Sequence, residues 1–167
     1  MEVVSLDKFR YIKLLILDVD GVLTDGRLWY STDGEVLKVF HVQDGLGIKR
    51  LLQAGVEVAI ISSRENQAVF RRAKELGISH VFQGERDKRI PYEELLSQLQ
   101  MEEKEVAYVG DDLPDLPIMQ RVGLAIAVAN AIPAVHSSAH WSTTKRGGEG
   151  AVREVCDLIV PSSPSQP

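Results

Sequence analysis

The sequence contains one cysteine, few aromatic residues and no long apolar run. A single cysteine, Cys156, cannot form a disulfide within the chain, so we predict a protein of the reducing cytoplasm. Cys156 is expected to be a small core residue, because no basic partner can be assigned to its thiol. No apolar stretch approaches the roughly 20 residues that span a bilayer, and residues 1–7 lack the pattern of a signal peptide. We therefore expect no membrane association.

Positive charge and histidine are also scarce. The chain carries 19 Lys and Arg residues against 24 Asp and Glu residues, which gives a net charge of −5. Nucleic-acid-binding domains normally present a basic surface, so we expect no nucleic-acid partner. The spacing of His80, His136 and His140 resembles no metal site, and these residues are predicted to be structural or exposed.

Short apolar runs alternate with segments of helical spacing along the chain. The runs at 14–17, 56–61, 106–109 and 124–128 are typical of strands buried on both faces of a parallel sheet. Apolar residues at helical spacing predict helices around 46–52, 69–76 (closed by Gly77) and 92–99. This alternation predicts an α/β fold, a Rossmann-like three-layer sandwich with a mostly parallel sheet. We expect one domain at 1–160 and a disordered Pro/Ser-rich tail at 161–167.

Residues 26–41 interrupt this alternation and predict a projecting β-hairpin. Two β-prone stretches flank Asp33-Gly34, and Asp-Gly in this position is a strong hairpin signal. The hairpin carries more apolar surface than a projecting element should expose. We predict that it packs against other subunits, with a hairpin folded onto its own domain as the alternative. Its apolar residues are Leu28, Trp29, Tyr30, Val36, Leu37, Val39 and Phe40.

Acidic and hydroxyl side chains follow the predicted strands, where each strand ends. Asp18 and Asp20 follow the first strand with a spacing that places both on one face. Ser62 and Ser63 follow the second strand, and Asp111, Asp112 and Asp115 follow the third, while Lys88 opens the third helix. In an open α/β sheet these strand ends border the binding crevice.

Any one of these residues alone is more simply read as a helix cap or turn residue. Together the acids would place several negative charges close to one another, which costs several kcal/mol unless a cation is bound. Oxygen ligands and room for phosphate favour Mg²⁺. A carboxylate can then attack phosphorus, a second carboxylate two residues further on can act as acid and base, and Lys88 and Ser62 can hold phosphoryl oxygens.

Four motifs in this order resemble those of the haloacid dehalogenase superfamily. They are Asp18-x-Asp20-Gly-Val-Leu-Thr-Asp, Ser62, Lys88 and Gly110-Asp-Asp-x-x-Asp115. Within the superfamily the chain resembles the 3-deoxy-D-manno-octulosonate 8-phosphate (KDO 8-phosphate) phosphatases. The closer marks are Asp44-Gly45-x-Gly47-Ile48, Ser62-Ser-Arg64, Gln83-Gly84, Tyr108-Val-Gly-Asp-Asp112 and Gly150-Ala-Val-Arg-Glu-Val-Cys-Asp157.

The resemblance implies a Mg²⁺-dependent phosphatase of KDO 8-phosphate, in lipopolysaccharide precursor synthesis, that works through an aspartyl-phosphate. Asp18 is then the nucleophile and a metal ligand, Asp20 the acid/base, and Asp111 the other carboxylate ligand. Asp20 also supplies its backbone carbonyl to the metal, and Asp115 supports the site. The residues expected at phosphate and substrate are Asp20, His41, Val42, Gln43, Asp44, Gly45, Lys49, Ser62, Ser63, Arg64, Arg72, Lys88 and Asp112.

The resemblance further implies a homotetramer without an inserted cap domain, in which the segment Gln43-Asp44-Gly45 lies over a neighbour's active site. The intervals between the four motifs leave no room for a cap. Arg64 and Arg72 are eight positions apart, which is about 80° around one helix. Both are therefore expected to lean toward the crevice mouth and to bind an anionic sugar acid. For Arg72 and Lys49, a solvated helix face remains the alternative.

Two departures from the family pattern concern Ser63 and Glu149. Ser63 stands where the family usually has Gly, which should stiffen the loop. Glu149 stands where the family commonly has Arg, which weakens the expectation that this segment assists substrate binding.

Three alternative functions remain open. A phosphatase for a nine-carbon sialic-acid-type phosphate is the nearest, although Arg64 favours the eight-carbon substrate. A phospho-receiver signalling domain uses similar residues, but the spacing of Asp18 and Asp20 favours turnover. Intact Asp18 and Asp20 also argue against an inactive, oligomer-forming relative.

Overall fold

A six-stranded parallel sheet forms the centre of the computed structural model, which describes residues 7–34 and 36–160. The predicted disordered tail at 161–167 lies outside the described residues. Its strands are β1 (Leu14–Leu17), β4 (Glu57–Ile61), β5 (His80–Phe82), β6 (Val106–Gly110), β7 (Leu124–Ala127) and β8 (Trp141–Ser142). They lie in the order β5-β4-β1-β6-β7-β8, and each neighbouring pair is parallel.

Helices cover both faces of the sheet, so the predicted three-layer α/β architecture is confirmed. They are α1 (Asp7–Arg10), α2 (Val42–Gln53), α3 (Gln67–Leu76), α4 (Arg89–Leu99), α5 (Leu116–Met119), α6 (Pro133–Ser138) and α7 (Ala151–Ile159). Short 3₁₀ turns occupy Glu103–Glu105 and Leu113–Asp115. Helix α3 ends at Gly77, which adopts a left-handed conformation as the predicted cap.

The side chains of β1 alternate between two hydrophobic cores. Leu15 and Leu17 pack with residues of α2, α3 and α7, whereas Leu14 and Ile16 pack with residues of α4, α5 and α6. All four strand residues are fully buried, as the continuous apolar run predicted. The central strand therefore holds its carboxyl end, and the residues that follow it, in a fixed position.

The hairpin forms a separate two-stranded antiparallel sheet, as predicted. Its strands are β2 (Trp29–Tyr30) and β3 (Val36–Leu37), with Trp29 opposite Leu37 and Tyr30 opposite Val36. The regular pairing is shorter than the β-prone stretches of the sequence. Trp29, Tyr30, Leu37 and Val39 are exposed in the single chain.

Helix α7 packs against α2 and contains the lone cysteine. Cys156 is buried in the core, as expected, and burial raises the pKa of its thiol. The Asp44 carboxylate of α2 accepts a hydrogen bond from the backbone N–H of Arg153, at 2.8 Å, in the first turn of α7. None of the helices in the described ranges is long and apolar enough to cross a membrane.

Candidate active site

The loops after β1 and β6 meet the start of α4 at a buried ion-pair cluster. Lys88, at the N-cap of α4, places Nζ 2.6 Å from Oδ1 of Asp18 and 2.7 Å from Oδ1 of Asp115. All three side chains are buried. Residues far apart in the sequence therefore converge at the carboxyl end of the sheet, where open α/β folds bind ligands.

Asp115 acts as a structural hub because both of its carboxylate oxygens are occupied. Oδ1 accepts hydrogen bonds from Lys88 and from the hydroxyl of Tyr108, the latter at 2.6 Å. Oδ2 accepts from the backbone N–H groups of Asp111 (2.9 Å) and Asp112 (3.3 Å). These bonds agree with the supporting role predicted for Asp115 and fix the loop that carries Asp111.

The carboxylate of Asp111 is differently placed, since no residue in the ranges 7–34 and 36–160 donates a hydrogen bond to it or pairs with it. Its oxygens lie with those of Asp18 and Asp115 inside a cluster whose ligand atoms are within 4.8 Å of one another. Because Asp115 is already saturated with donors, Asp18 and Asp111 are the carboxylates left to hold a cation. This all-oxygen donor set suits a hard divalent ion such as Mg²⁺.

Gly21 gives the Asp111 carboxylate its space. The residue adopts φ +90°, and a Cβ at this position would lie 1.9 Å from Oδ2 of Asp111. The backbone carbonyl of Gly21 is in turn held by a hydrogen bond from the loop after β7. Asn130 donates to the Gly21 carbonyl at 3.1 Å and accepts from the N–H of Gly147 at 2.6 Å.

The electrostatics of this cluster favour a bound cation. Burial, followed by the charge of Asp115, raises the pKa of Asp18 to about 7. Burial, followed by the charges of Asp18 and Asp115, raises the pKa of Asp111 to about 8. Burial alone would lower the pKa of Lys88, but the charges of Asp18 and Asp115 outweigh it and raise that pKa. Without a cation the site holds more negative charge than Lys88 compensates.

A cleft of about 160 Å³ opens above these groups. Ser62 is buried at its wall, and the Ser62 Oγ accepts from the backbone N–H of Arg64 at 3.3 Å, which leaves the hydroxyl proton available to a ligand. Asp20 also borders the cleft, with Oδ2 3.9 Å from Nε of Arg64. The remaining lining comes from Asp18, Ser63, Lys88, Asp111, Asp112, Pro114 and Asp115.

The other predicted substrate residues do not reach this cleft within the single chain. His41, Asp44, Gly45 and Arg72 line a separate small cavity, and Val42, Gly45, Lys49 and Arg72 border an adjoining surface cleft. Arg72 donates to the His41 carbonyl (3.4 Å) and to Glu75 (3.3 Å), so it does not lean toward the mouth beside Arg64. Arg64 itself lies before the first turn of α3, so the expectation that one helix carries both arginines is wrong.

Four residues of the site were not predicted from the sequence. Tyr108 was noted only as a family mark, although a tyrosine within a buried strand signals a polar partner. Lys38, whose ammonium forms an ion pair with Asp20, lies in the hairpin, where a lysine normally faces solvent. Asn130 and Gly147 lie outside the four motifs, so the sequence did not connect them with the acidic residues.

Comparison with known proteins agrees with this geometry. A model of the haloacid dehalogenase-like hydrolase family matches residues 80–155. The 3-deoxy-D-manno-octulosonate 8-phosphate phosphatase of Yersinia pestis is 51% identical over 149 residues, which cover 89% of this chain and 80% of that protein. The phosphatase of the same name from Escherichia coli K12 is 50% identical over 153 residues, with 92% and 81% covered. The chain belongs to this phosphatase family.

Solved structures of KDO 8-phosphate phosphatases share the fold as well. The Moraxella catarrhalis enzyme, crystallised with a magnesium ion, a phosphate ion and KDO, matches with a TM-score of 0.90 and 47% identity. The match covers 93% of this chain and 89% of that one. Members of this family are phosphomonoester hydrolases, and the chain is an enzyme of this class.

Proposed function

We propose that the chain is a Mg²⁺-dependent phosphatase that hydrolyses KDO 8-phosphate through a phosphoryl group carried by Asp18. The observation that supports this most directly is the buried contact of Lys88 with Asp18 beside the carboxylate of Asp111, which has no partner among the described residues. A bound cation, together with Lys88, would offset the charge of Asp18, so that its carboxylate could approach an anionic phosphate.

The residues present fit a magnesium ion. Asp18 and Asp111 would hold it through their carboxylates, and the resemblance adds the backbone carbonyl of Asp20. When bound, such an ion neutralises charge on the transferring phosphoryl group. Lys88 also neutralises charge on the phosphoryl group, and the Ser62 hydroxyl is placed to donate a hydrogen bond to a phosphoryl oxygen.

The reaction proceeds in two steps on the side chains of this chain. In the first, a carboxylate oxygen of Asp18 bonds to phosphorus as the P–O ester bond breaks, and Asp20 gives its proton to the leaving sugar alkoxide. In the second, Asp20 takes a proton from water as the water oxygen bonds to phosphorus. The acyl-phosphate bond then breaks, which releases inorganic phosphate and restores Asp18.

A small anionic sugar phosphate suits the cleft. Within residues 7–34 and 36–160, the stretch from Asp18 to Lys88 holds only the hairpin, α2, β4, α3 and β5, with no inserted cap. Arg64 lies at the wall and is largely exposed, so it can meet a sugar carboxylate. The other groups predicted to bind substrate are Arg72 and residues in the range 41–49. They do not border this cleft in the same chain.

We infer that a second copy closes this cleft, in a homotetramer. The exposed apolar residues of the hairpin are followed in the chain by Val42 and Leu46 of α2, which are also exposed. Apolar surface exposed to this extent marks an interaction site. A neighbour seated there would bring its own residues at 41–49 toward the open cleft.

Phosphate release from a panel of sugar phosphates tests the assignment. With Mg²⁺, the fastest release is expected from KDO 8-phosphate, with N-acetylneuraminate 9-phosphate as the nine-carbon comparison. Asp18→Asn should abolish phosphate release. Glu94→Gln likewise replaces a carboxylate by an amide, but at an exposed residue of α4, and should leave phosphate release unchanged. Absence of release from every substrate would overturn the phosphatase assignment, and preference for the nine-carbon phosphate would overturn the substrate.

A further inference from the structure

Lys38 is a buried cation on a hairpin whose neighbouring residues are exposed. Its side chain is 3% exposed, and its Nζ forms an ion pair with Oδ1 of Asp20. Within residues 7–34 and 36–160, Asp20 is the only acidic partner of Lys38. A buried ammonium is costly unless it is paired and hydrogen-bonded, so this contact requires an explanation.

The hairpin segment around Lys38 exposes its apolar residues and buries its charged residue, which is the reverse of the usual arrangement. Alternate residues of such a segment face opposite sides. Leu37 and Val39, which are 53% and 67% exposed, face outward, while Lys38 between them faces the domain. A segment selected only for stability would place the apolar residues inward and the lysine in water. The inward position of Lys38 therefore serves the residue that it contacts.

Two anchors fix the backbone on either side of Lys38. Asn66 donates from Nδ2 to the carbonyl of Val36 at 2.9 Å, and its Oδ1 accepts from the N–H of Ala68 at 2.8 Å as the cap of α3. Two residues beyond Lys38, Phe40 packs against the core that contains α2 and α3. The position of the ammonium is thus set by the domain and not by the exposed tip of the hairpin.

We propose that Lys38 is a positioning residue for the phosphatase reaction, which holds Oδ1 of Asp20 so that Oδ2 faces the leaving group. This inference rests on the proposed function. Because Oδ1 accepts from the ammonium, Oδ2 is the oxygen that gives its proton to the leaving alkoxide and later receives one from water. Oδ2 lies 3.9 Å from Nε of Arg64, and both residues line the cleft.

Two substrates with different leaving groups separate this role from a general loss of structure. A sugar alkoxide needs a proton as it departs, whereas the nitrophenolate of p-nitrophenyl phosphate does not. The value of kcat/KM reports the steps up to phosphoryl transfer, and so it isolates the acid function of Asp20. Lys38→Met keeps most of the side-chain volume and removes the charge, and Lys38→Arg keeps a cationic donor.

For Lys38→Met we expect kcat/KM on KDO 8-phosphate to fall by about a hundredfold, within the range of general acid catalysis. On p-nitrophenyl phosphate the loss should be about tenfold smaller or absent, because no acid is needed there. Lys38→Arg should recover part of the loss on the sugar phosphate, and Lys74→Met, at an exposed position of α3, should behave as wild type on both.

An equal loss on both substrates, or no loss on either, would overturn the role of Lys38. Circular dichroism of Lys38→Met identifies a variant that does not fold, and Lys38→Arg then carries the comparison. If the wild type hydrolyses another sugar phosphate in preference to KDO 8-phosphate, the proposed substrate fails. The Lys38 comparison then proceeds unchanged with that sugar phosphate, so the two failures are distinguishable.

Discussion

Gly21 and Asp111 share one small space: a Cβ added at position 21 would lie 1.9 Å from Oδ2 of the Asp111 carboxylate. The loop after β1, which contains Gly21, and the loop after β6, which contains Asp111, are therefore in close contact at this point. The Asp111 side chain, which is proposed to hold a metal ion, can take this position only because Gly21 has no side chain.

Gly21→Ala is expected to displace Asp111 and weaken Mg²⁺ binding by at least about tenfold, since one of two carboxylate ligands moves. Titration calorimetry with Mg²⁺ measures this. The φ of +90° also adds backbone strain of about 1 kcal/mol for alanine. Gly55→Ala is the control, because Gly55 has φ +82° with no atom within 4 Å of its Cβ position. Equal Mg²⁺ affinity in the two variants would contradict the account.

Lys88 is expected to stabilise the fold as well as the reaction. Lys88→Met leaves Asp18 and Asp115 buried without their cation, so the free energy of unfolding should fall by about 3 kcal/mol. Lys104→Met removes an exposed ion pair with Glu102 and should cost much less, because solvent screens that pair. Urea unfolding of the metal-free proteins at neutral pH compares them. Similar costs for the two variants would show that the cluster around Lys88 is not effectively buried.

The raised pKa values predict how stability depends on pH without metal. Asp18 and Asp111 titrate in the folded state near 7 and 8, above the ordinary 3.8, so folding favours their protonated forms. Their contribution is fully present below about pH 4 and is lost as the pH rises through 7 to 8. In EDTA, the Tm should therefore drop by several degrees between about pH 5.5 and 8.5.

Mg²⁺ should offset that drop, because it binds the ionised carboxylates and thus raises the Tm more at high pH. Asp111→Asn removes one of the titrating groups and should flatten the pH dependence of the metal-free protein. Scanning calorimetry across this pH range provides the measurement. The same Tm at both ends of the range, in wild type and variant alike, would contradict the proposed electrostatics.

The exposed apolar face of the hairpin is expected to hold the oligomer together. Val39→Asp places a charge in the proposed interface, and light scattering should show smaller species at micromolar concentration. Activity toward the sugar phosphate should fall with the oligomer if a neighbour completes the cleft. Thr32→Asp puts the same charge at the exposed turn and serves as the control. A wild-type monomer with full activity would refute the neighbour-closed site.

The sequence was most informative where local chemistry and position in the fold coincide. Runs such as 14–17 and 106–109 predicted buried parallel strands, and the acids that follow them predicted the cleft, because parallel strands end at a common edge. Asp18, Ser62, Lys88 and Asp111 all lie there.

Other parts of the site depend on tertiary contacts that no local pattern encodes. Lys38 reaches Asp20 only because Asn66 and Phe40 fix the hairpin, and Asn130 reaches Gly21 across 109 positions of sequence. Arg72 was assigned from helical geometry that starts at Arg64, but α3 begins at Gln67. The residues predicted to act on a neighbour's site depend on how copies of the chain assemble, which no local pattern encodes.

The transfer of a phosphoryl group to Asp18 is tested most directly by pre-steady-state kinetics of Asp20→Asn with p-nitrophenyl phosphate and Mg²⁺. The first step needs no acid with this substrate, while the second lacks its base. The account predicts a burst of nitrophenolate close to one equivalent per active site, with the phosphoryl group found on Asp18 by mass spectrometry. Release without a burst, and no phosphate on Asp18, would contradict it.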